Sequence, residues 1–137
     1  MPAIDHCHEQ VKHALQKENW SITSDPYTIT LPDRFLYIDL EAQRGSNGQT
    51  EQIILVEVKC FSSVNRITHD LYVAIGQYVT YRVAITQLGL PHDLYLAVPD
   101  VIYKTAFDTI TMQVIRDSNI KVVLVDMNAE RVIRWIK

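Results

Sequence analysis

Residues 53–60 form an apolar run that carries two charged side chains, Glu57 and Lys59. The run is rich in β-branched residues and has the length of a buried strand, so it predicts a strand inside a sheet. Alternate residues of a strand point to the same face, which places Glu57 and Lys59 side by side. Charged groups are seldom buried unless they are paired or bind a metal. This strand therefore constrains both the fold and the function of the chain.

A second acidic residue, Asp39, lies in the preceding apolar run. The polar segment 44–51 between the two runs contains Gly and Asn and predicts a hairpin loop. We take Gln43 to pair with Gln52 at the start of this hairpin. Asp39 then falls opposite Glu57 or the neighbouring valine, and a register shift of one residue sets it directly opposite Glu57.

Two carboxylates at facing strand positions have Cβ atoms about 4.5–5.5 Å apart. Each raises the pKa of the other unless a cation lies between them. Oxygen ligands favour a hard cation, so the pattern predicts Mg²⁺ held by Asp39 and Glu57 with Lys59 beside it. The alternative is a solvated Glu57–Lys59 pair on an exposed sheet face, which contributes little energy. Apolar residues on both faces of the strand favour the metal site.

Residues 68–88 predict a long helix, because apolar residues recur there at helical spacing and Gly89 follows. Asp70, Gln77 and Tyr81 share one face of this helix. Taken alone, Gln77 could be an ordinary polar helix position and Tyr81 the edge of the apolar stripe. The same face could also approach the predicted metal site.

An aspartate on one strand, followed by Glu-x-Lys on the next, resembles the PD-(D/E)xK superfamily of restriction-endonuclease-like nucleases. Asp39, Glu57 and Lys59 match this pattern by type and strand position, although Ile38 stands where the literal motif has proline. The Gln-x-x-x-Tyr of residues 77–81 resembles the helix motif that follows Glu-x-Lys in RecB-like and Holliday-junction-resolvase-like members.

The superfamily resemblance implies a DNA endonuclease that depends on Mg²⁺ or Mn²⁺. Lys59 would position the attacking water or stabilise charge on the phosphate. Gln77 would hold Lys59 or the water in place. The implied metal ligands are Asp39, Glu57 and the carbonyl oxygen of Val58, and the implied catalytic residues are Asp39, Glu57, Lys59, Gln77 and Tyr81.

A narrower resemblance is carried by segments spread over nearly the whole chain, which are residues 1–3, 20–26, 56–59, 74–78, 94–99 and 132–136. These segments resemble the XisH family, the fdxN-element excision-controlling factors of cyanobacteria. The resemblance implies a role in programmed DNA excision, with DNA and a small XisI-type protein as partners. It leaves open a catalytically silent accessory protein that keeps the fold and binds DNA or such a partner.

The composition predicts a single α/β domain over residues 1–137. No apolar stretch approaches a membrane span and no signal-peptide pattern opens the chain, so we expect a cytoplasmic protein. The two cysteines, Cys7 and Cys60, do not indicate a disulfide framework. A net charge of −3 at pH 7 is unlike that of a strong nonspecific DNA binder, so a partner protein would supply part of the positive charge.

The order of elements predicts the α-β-β-β-α-β core of the restriction-endonuclease-like fold, a mixed sheet flanked by helices, with an extra helix and C-terminal strands. A crossover through the long helix makes the strand that follows it parallel to the Glu57 strand. The predicted elements are a helix over 5–17, strands over 27–31, 35–40 and 53–60, a helix over 68–88, a strand over 93–99, a helix over 101–116, and strands over 120–127 and 131–136.

The opening helix carries His6, His8 and His13 beside Cys7, a set that could suggest zinc. The spacings are too tight for the usual structural zinc sites, and no second Cys/His pair follows. We therefore interpret these residues as ordinary histidines of a surface helix. His8 or Glu9 could still reach the predicted metal site, since the opening helix of resolvase-like members often contributes an acid.

Overall fold

A six-stranded mixed sheet with helices on both faces forms the centre of the computed structural model, which describes residues 6–137. The predicted fold class is thereby confirmed. The helix start expected at Asp5 and the segment 1–3 lie outside the described residues. The helices are α1 (His8–Lys17), α2 (Ile67–Gln87), α3 (Asp100–Thr105) and α4 (Thr109–Asp117), and the strands are β1 (Ser21–Ser24), β2 (Tyr27–Thr30), β3 (Phe35–Ile38), β4 (Leu40–Ser46), β5 (Gln49–Val58), β6 (Asp93–Pro99), β7 (Val122–Asp126) and β8 (Arg131–Ile136).

The strand order of the main sheet is β1-β4-β5-β6-β7-β8, while β2 and β3 form a separate two-stranded sheet. The pairs β5–β6 and β6–β7 are parallel, and the outer pairs are antiparallel. The predicted parallel pairing across the long helix is confirmed. Strand β1 was not predicted, because its four residues are mostly polar.

The second half of strand β5, residues 54–58, is buried on both faces. Leu55 packs with Tyr78 of α2 in one hydrophobic cluster, and Val56 packs with Val11 of α1 in the other. Because both faces are covered, the strand is a nearly continuous apolar run rather than an alternating one. Any charged residue near its end is consequently held where little water reaches it.

The hairpin between β4 and β5 is tighter than the predicted loop over 44–51. Only Asn47 and Gly48 form the turn, and both have positive φ, +56° and +76°, as two-residue hairpin turns require. Gln43 pairs with Ile53 rather than with Gln52. The register is therefore the shifted one, in which position 39 approaches Glu57.

Two other predicted elements are each divided in the structure. The run over 35–40 breaks at Asp39, so that β3 belongs to the small sheet and β4 to the main sheet. The helix predicted over 101–116 is two helices, because the Asp108 carboxylate accepts a hydrogen bond from the Thr111 amide at 2.8 Å and caps α4. In residues 6–137 no helix is long and apolar enough to cross a membrane.

Candidate metal and catalytic site

Asp39 and Glu57 meet where the chain leaves the small sheet for the main sheet. The Val58 amide donates to Asp39 Oδ2 at 2.7 Å, and the Asp39 amide donates to Glu57 Oε1 at 3.3 Å. The two carboxyl groups are also hydrogen-bonded to each other. These reciprocal contacts fix both acids at one point, as the shifted hairpin register implies.

The two acids share an environment that disfavours a full negative charge on both. Glu57 is 5% exposed, and burial together with the charge of Asp39 raises the pKa of Glu57 to about 9. Burial also raises the pKa of Asp39. A hydrogen bond from the Val58 amide and a positive charge on His8 act in the opposite direction but do not outweigh burial. At neutral pH the pair therefore holds a proton, and a cation could replace that proton.

Lys59 lies beside the acids, just past the end of β5. Its backbone amide continues the ladder to the Ala97 carbonyl at 3.0 Å, and its Nζ is 3.9 Å from Glu57 Oε2. This separation is too long for a hydrogen bond. The predicted side-by-side placement of Glu57 and Lys59 is present, and the ammonium group keeps donors for another partner.

Helix α2 places Tyr81 close enough to the acids for them to affect its ionisation. Burial, and then the charges of Glu57 and Asp39, raise the pKa of Tyr81, so its hydroxyl stays protonated. Gln77, one turn earlier, is half-buried, and its Oε1 has no hydrogen-bond partner within residues 6–137. The structure thus brings Tyr81 to the pair and leaves Gln77 with an open acceptor.

Val58 contributes to the site through its backbone. Its amide donates to Asp39, while its side chain is buried in the cluster that includes Val11 and Val56. The role of its carbonyl oxygen as a metal ligand stays a prediction.

The expectation of ordinary surface histidines is wrong for His8, which is 3% exposed. Its Nε2 lies 2.7 Å from Asp25 Oδ1, and its Nδ1 lies 4.0 Å from Asp39 Oδ1. Lys12 donates to the other oxygen of Asp25 at 3.0 Å. Glu9 is exposed and faces His13 at 4.0 Å, so it does not join this group.

The role of Asp25 was missed at the level of sequence. The available signal was the i,i+4 spacing of His8 and Lys12 on one helix face, which allows both to contact the same group. Partial burial alone would raise the pKa of Asp25, but hydrogen bonds from Lys12 and His8 outweigh it and lower that pKa. Asp25 is therefore a charged anchor for both side chains.

The structure also pairs Cys7 with Cys60 as a disulfide, which corrects the expectation drawn from the cysteine count. Their Cα atoms are 5.5 Å apart, within the usual range for such a bond. The pair connects the residue before His8 to the residue after Lys59. It thus joins the two chain segments that bring side chains to the site from α1 and β5.

Comparison with known proteins identifies the family. The family model for the XisH protein matches residues 1–133. The chain belongs to the XisH family. It is similar to the crystal structure of an XisH family protein from Nostoc punctiforme PCC 73102, with a TM-score of 0.87 and 34% identity over 97% of this chain and 100% of that one.

A second solved structure is similar along nearly its full length. It is a fdxN element excision controlling factor protein from Anabaena variabilis, with a TM-score of 0.85 and 35% identity over 95% of this chain and 97% of that one. A search of curated proteins finds no match.

The predicted cation site of this XisH-family chain has two carboxyl groups, Asp39 and Glu57, at one point. Within residues 6–137, no three His, Cys, Asp or Glu side chains stand together as a preformed metal cage. Two carboxyl groups that share one proton nevertheless lie together, and the buried acceptors His8 Nδ1 and Gln77 Oε1 have no hydrogen-bond partner in the same range. Buried polar atoms are normally paired, so these two acceptors are open to a further hydrogen-bond partner.

Proposed function

We propose that this XisH-family protein is a Mg²⁺- or Mn²⁺-dependent endonuclease that hydrolyses phosphodiester bonds of DNA in programmed element excision. The observation that carries the proposal is the close approach of Asp39 and Glu57. The carboxylate of each accepts a hydrogen bond from a backbone amide of the other's segment, and Lys59 Nζ lies 3.9 Å from Glu57 Oε2. We infer the role in element excision from the similar protein of Anabaena variabilis, which is a fdxN element excision controlling factor protein.

The chemistry divides between the ion and the side chains. Asp39 and Glu57 would hold a divalent ion through their carboxylate oxygens after giving up the proton between them. Such an ion, when bound, would supply polarisation of the scissile phosphate and a lower pKa for the attacking water. In the reaction the water oxygen bonds to phosphorus, the bond from phosphorus to the leaving sugar oxygen breaks, and that oxygen takes up a proton.

Lys59 and Gln77 act on the phosphate and the water. Lys59 is 20% exposed at the side chain and is not hydrogen-bonded to Glu57, so its ammonium group can approach the phosphate oxygen where negative charge develops. Gln77 Oε1 is buried without a hydrogen-bond partner in residues 6–137, and we assign it the role of accepting a hydrogen bond from Lys59 or from the attacking water. Tyr81 stays neutral beside the acids and can donate from its hydroxyl.

DNA and a small XisI-type protein are the proposed partners, and the cytoplasm is the proposed location. The net charge of −3 gives this chain little general attraction for the DNA backbone. A partner that carries basic residues would supply that attraction and direct the site to its substrate.

Plasmid nicking in Mg²⁺ or Mn²⁺ tests the proposal. Glu57→Gln and Lys59→Met should each lower the nicking rate by at least about 100-fold, a typical effect of losing a metal ligand or a group that stabilises transition-state charge. Glu51→Gln on the same strand and Lys121→Met, both surface changes, are matched controls that should keep the full rate. Equal activity in all five proteins would refute the proposal.

A second function is a catalytically silent accessory protein that uses the same fold to bind DNA or an XisI-type partner. The net charge and the Glu57 pKa of about 9, which keeps the acid pair protonated at neutral pH, favour it. Titration calorimetry separates the two functions. A nuclease should bind Mn²⁺ or Mg²⁺ and lose that binding in Asp39→Asn, whereas a silent protein should show no such metal binding.

A further inference from the structure

The Cys7–Cys60 disulfide can be reached from solvent at one of its two ends. Cys7 is 3% exposed and packs in the apolar cluster that includes Val11 and Trp20. Cys60 is partly exposed, and residues 62–66 that follow it in the chain are exposed. A thiol from solvent would therefore meet the bond at Cys60.

The buried end of the bond lies where a released thiolate is stabilised. Cys7 is the N-cap residue of α1, and its carbonyl oxygen accepts a hydrogen bond from the Val11 amide at 3.0 Å. The N-terminus of a helix carries partial positive charge, which favours an anion such as a thiolate. A more stable leaving thiolate speeds thiol–disulfide exchange. Attack at Cys60 with departure of Cys7 is thus the favoured direction.

The bond joins the start of α1 to the stretch that follows β5. Residues 59–63 of this stretch form neither helix nor strand. The Lys59 amide donates to the Ala97 carbonyl at 3.0 Å, just beyond the last paired residue of β5. Reduction removes the covalent link between this stretch and α1, so both ends of the link can open locally more often.

A permanent structural bridge is the competing interpretation. Such bridges stabilise small domains that cannot build a sufficient hydrophobic core. Here separate hydrophobic clusters lie on the two faces of the main sheet, and they contain fully buried residues such as Leu15, Leu55 and Leu96. The fold thus has a core on each face without the bridge, which leaves the bond available for a reversible role.

We propose that Cys7–Cys60 is a reversible redox modification site, at which a dithiol reductant opens the bond through Cys60 and thereby loosens the start of α1 and the segment that carries Lys59. The inference does not depend on nuclease activity, because its readouts are thiol content and amide exchange. Its failure is therefore distinguishable from failure of the proposed function.

The chemistry is a two-step exchange. One thiolate of the reductant attacks Cys60 Sγ, the Cys7–Cys60 bond breaks, and its electron pair leaves with Cys7 Sγ, which takes up a proton. The second thiol of the reductant loses its proton and attacks the mixed disulfide, which releases Cys60 as a thiol. Two electrons pass from the reductant, which ends as its own disulfide, and the reverse steps close the bond again.

Reduction of the folded full chain by dithiothreitol tests the site, with thiols trapped by alkylation and counted by mass. The rate should double when the reductant concentration doubles and stay constant in urea below the unfolding transition, because attack occurs on the native protein. Oxidised glutathione should restore the bond. A rate that follows the unfolded fraction as urea rises, or a bond that does not re-form, would overturn the proposal.

A pair of matched variants tests which sulfur is attacked. Cys7→Ala keeps the thiol of Cys60, and Cys60→Ala keeps that of Cys7. Oxidised glutathione should modify Cys7→Ala at least about 10-fold faster than Cys60→Ala, because access to the sulfur limits the rate at the buried position. Equal rates, or faster modification at Cys7, would overturn the assigned direction of attack.

Amide hydrogen exchange of the oxidised and reduced proteins tests the loosening. After reduction, the Val11 and Lys59 amides should exchange at least about 10-fold faster, because local opening no longer has to stretch a covalent link. The Ser118 amide, which donates to the Val114 carbonyl at 2.9 Å at the end of α4, is the control and should change less than about twofold. The double variant Cys7→Ala/Cys60→Ala should exchange like the reduced protein with or without oxidant. Unchanged exchange at both amides would overturn the loosening.

Discussion

Two acid groups, Glu41 on one side and Asp39 with Glu57 on the other, lie at the β4–β5 pair and differ in their hydrogen-bond partners. Glu41 of β4 accepts hydrogen bonds from His92 at 2.7 Å, Thr23 at 2.8 Å and Ser24 at 3.2 Å. Burial alone would raise the pKa of Glu41, but these hydrogen bonds outweigh it and lower the pKa. Glu41 is thus a carboxylate whose charge the fold has already stabilised.

Asp39 and Glu57 are the opposite case. Each accepts one backbone amide, the two face each other, and the pKa of Glu57 rises to about 9. A buried carboxyl group with few hydrogen-bond partners lowers the stability of the fold, so a purely structural role does not explain this pair. The difference supports a structural role for Glu41 and the proposed ligand-binding role of Asp39 and Glu57.

The largest effect on stability is expected from Glu41→Ala. Removing this carboxylate leaves the buried ring of His92 without its partner, which should lower the free energy of unfolding by about 2 kcal/mol. Because the pKa of Glu41 is lowered on folding, its contribution is present above pH 4.5, its ordinary pKa, and is lost as the pH falls through the folded value. Urea denaturation at pH 7 and pH 3.5 measures both effects.

The matched control for this change is Glu51→Ala, which removes an exposed acid from β5. It should shift the free energy of unfolding by less than about 0.5 kcal/mol. A Glu41→Ala protein as stable as this control would contradict the structural role of Glu41.

Glu57→Gln should have an effect of opposite sign in the metal-free protein. Its pKa is raised on folding, so the stability linked to its proton is fully present below pH 4.5 and is lost as the pH rises toward about 9. The neutral amide avoids that loss. At pH 9 the variant should therefore be more stable than the unchanged protein.

Denaturation at pH 5, 7 and 9 in the presence of a chelator checks this expectation. The advantage of Glu57→Gln should grow from pH 5 to pH 9. A variant that is less stable by the same amount at every pH would show that Glu57, like Glu41, serves the fold as an ion.

Much of the main sheet and half of the candidate site follow from local patterns. Glu57 and Lys59 are conspicuous because they interrupt an apolar run, and strand alternation fixes their common side. The register was uncertain by one residue, because the ladder shifts between Arg44 and Gly45. At Gly45 a Cβ would collide with the backbone of Gln49, and this close approach is not visible in the local sequence pattern.

The other half of the site depends on contacts between distant segments. The spacing of His8 from Val11 and Leu15 places it on the buried face of α1, but its contacts with Asp25 and Asp39 arise only because α1 packs across the sheet. The break between α3 and α4 was missed for a local reason, since Asp108 resembles any polar helix residue until its carboxylate caps the next helix.

The smallest expected effect on stability, from Lys59→Met, distinguishes the two acid groups most sharply. At 3.9 Å from Glu57 and 20% exposed, the Lys59 ammonium group should contribute less than about 0.5 kcal/mol to the free energy of unfolding. Urea denaturation beside Lys121→Met, whose ion pair with Asp93 is also loose, measures it. A loss of several kcal/mol would make Lys59 a structural counter-ion. Near-equal stability, together with lost nicking, would show that Lys59 stabilises charge that exists only when a phosphate is bound.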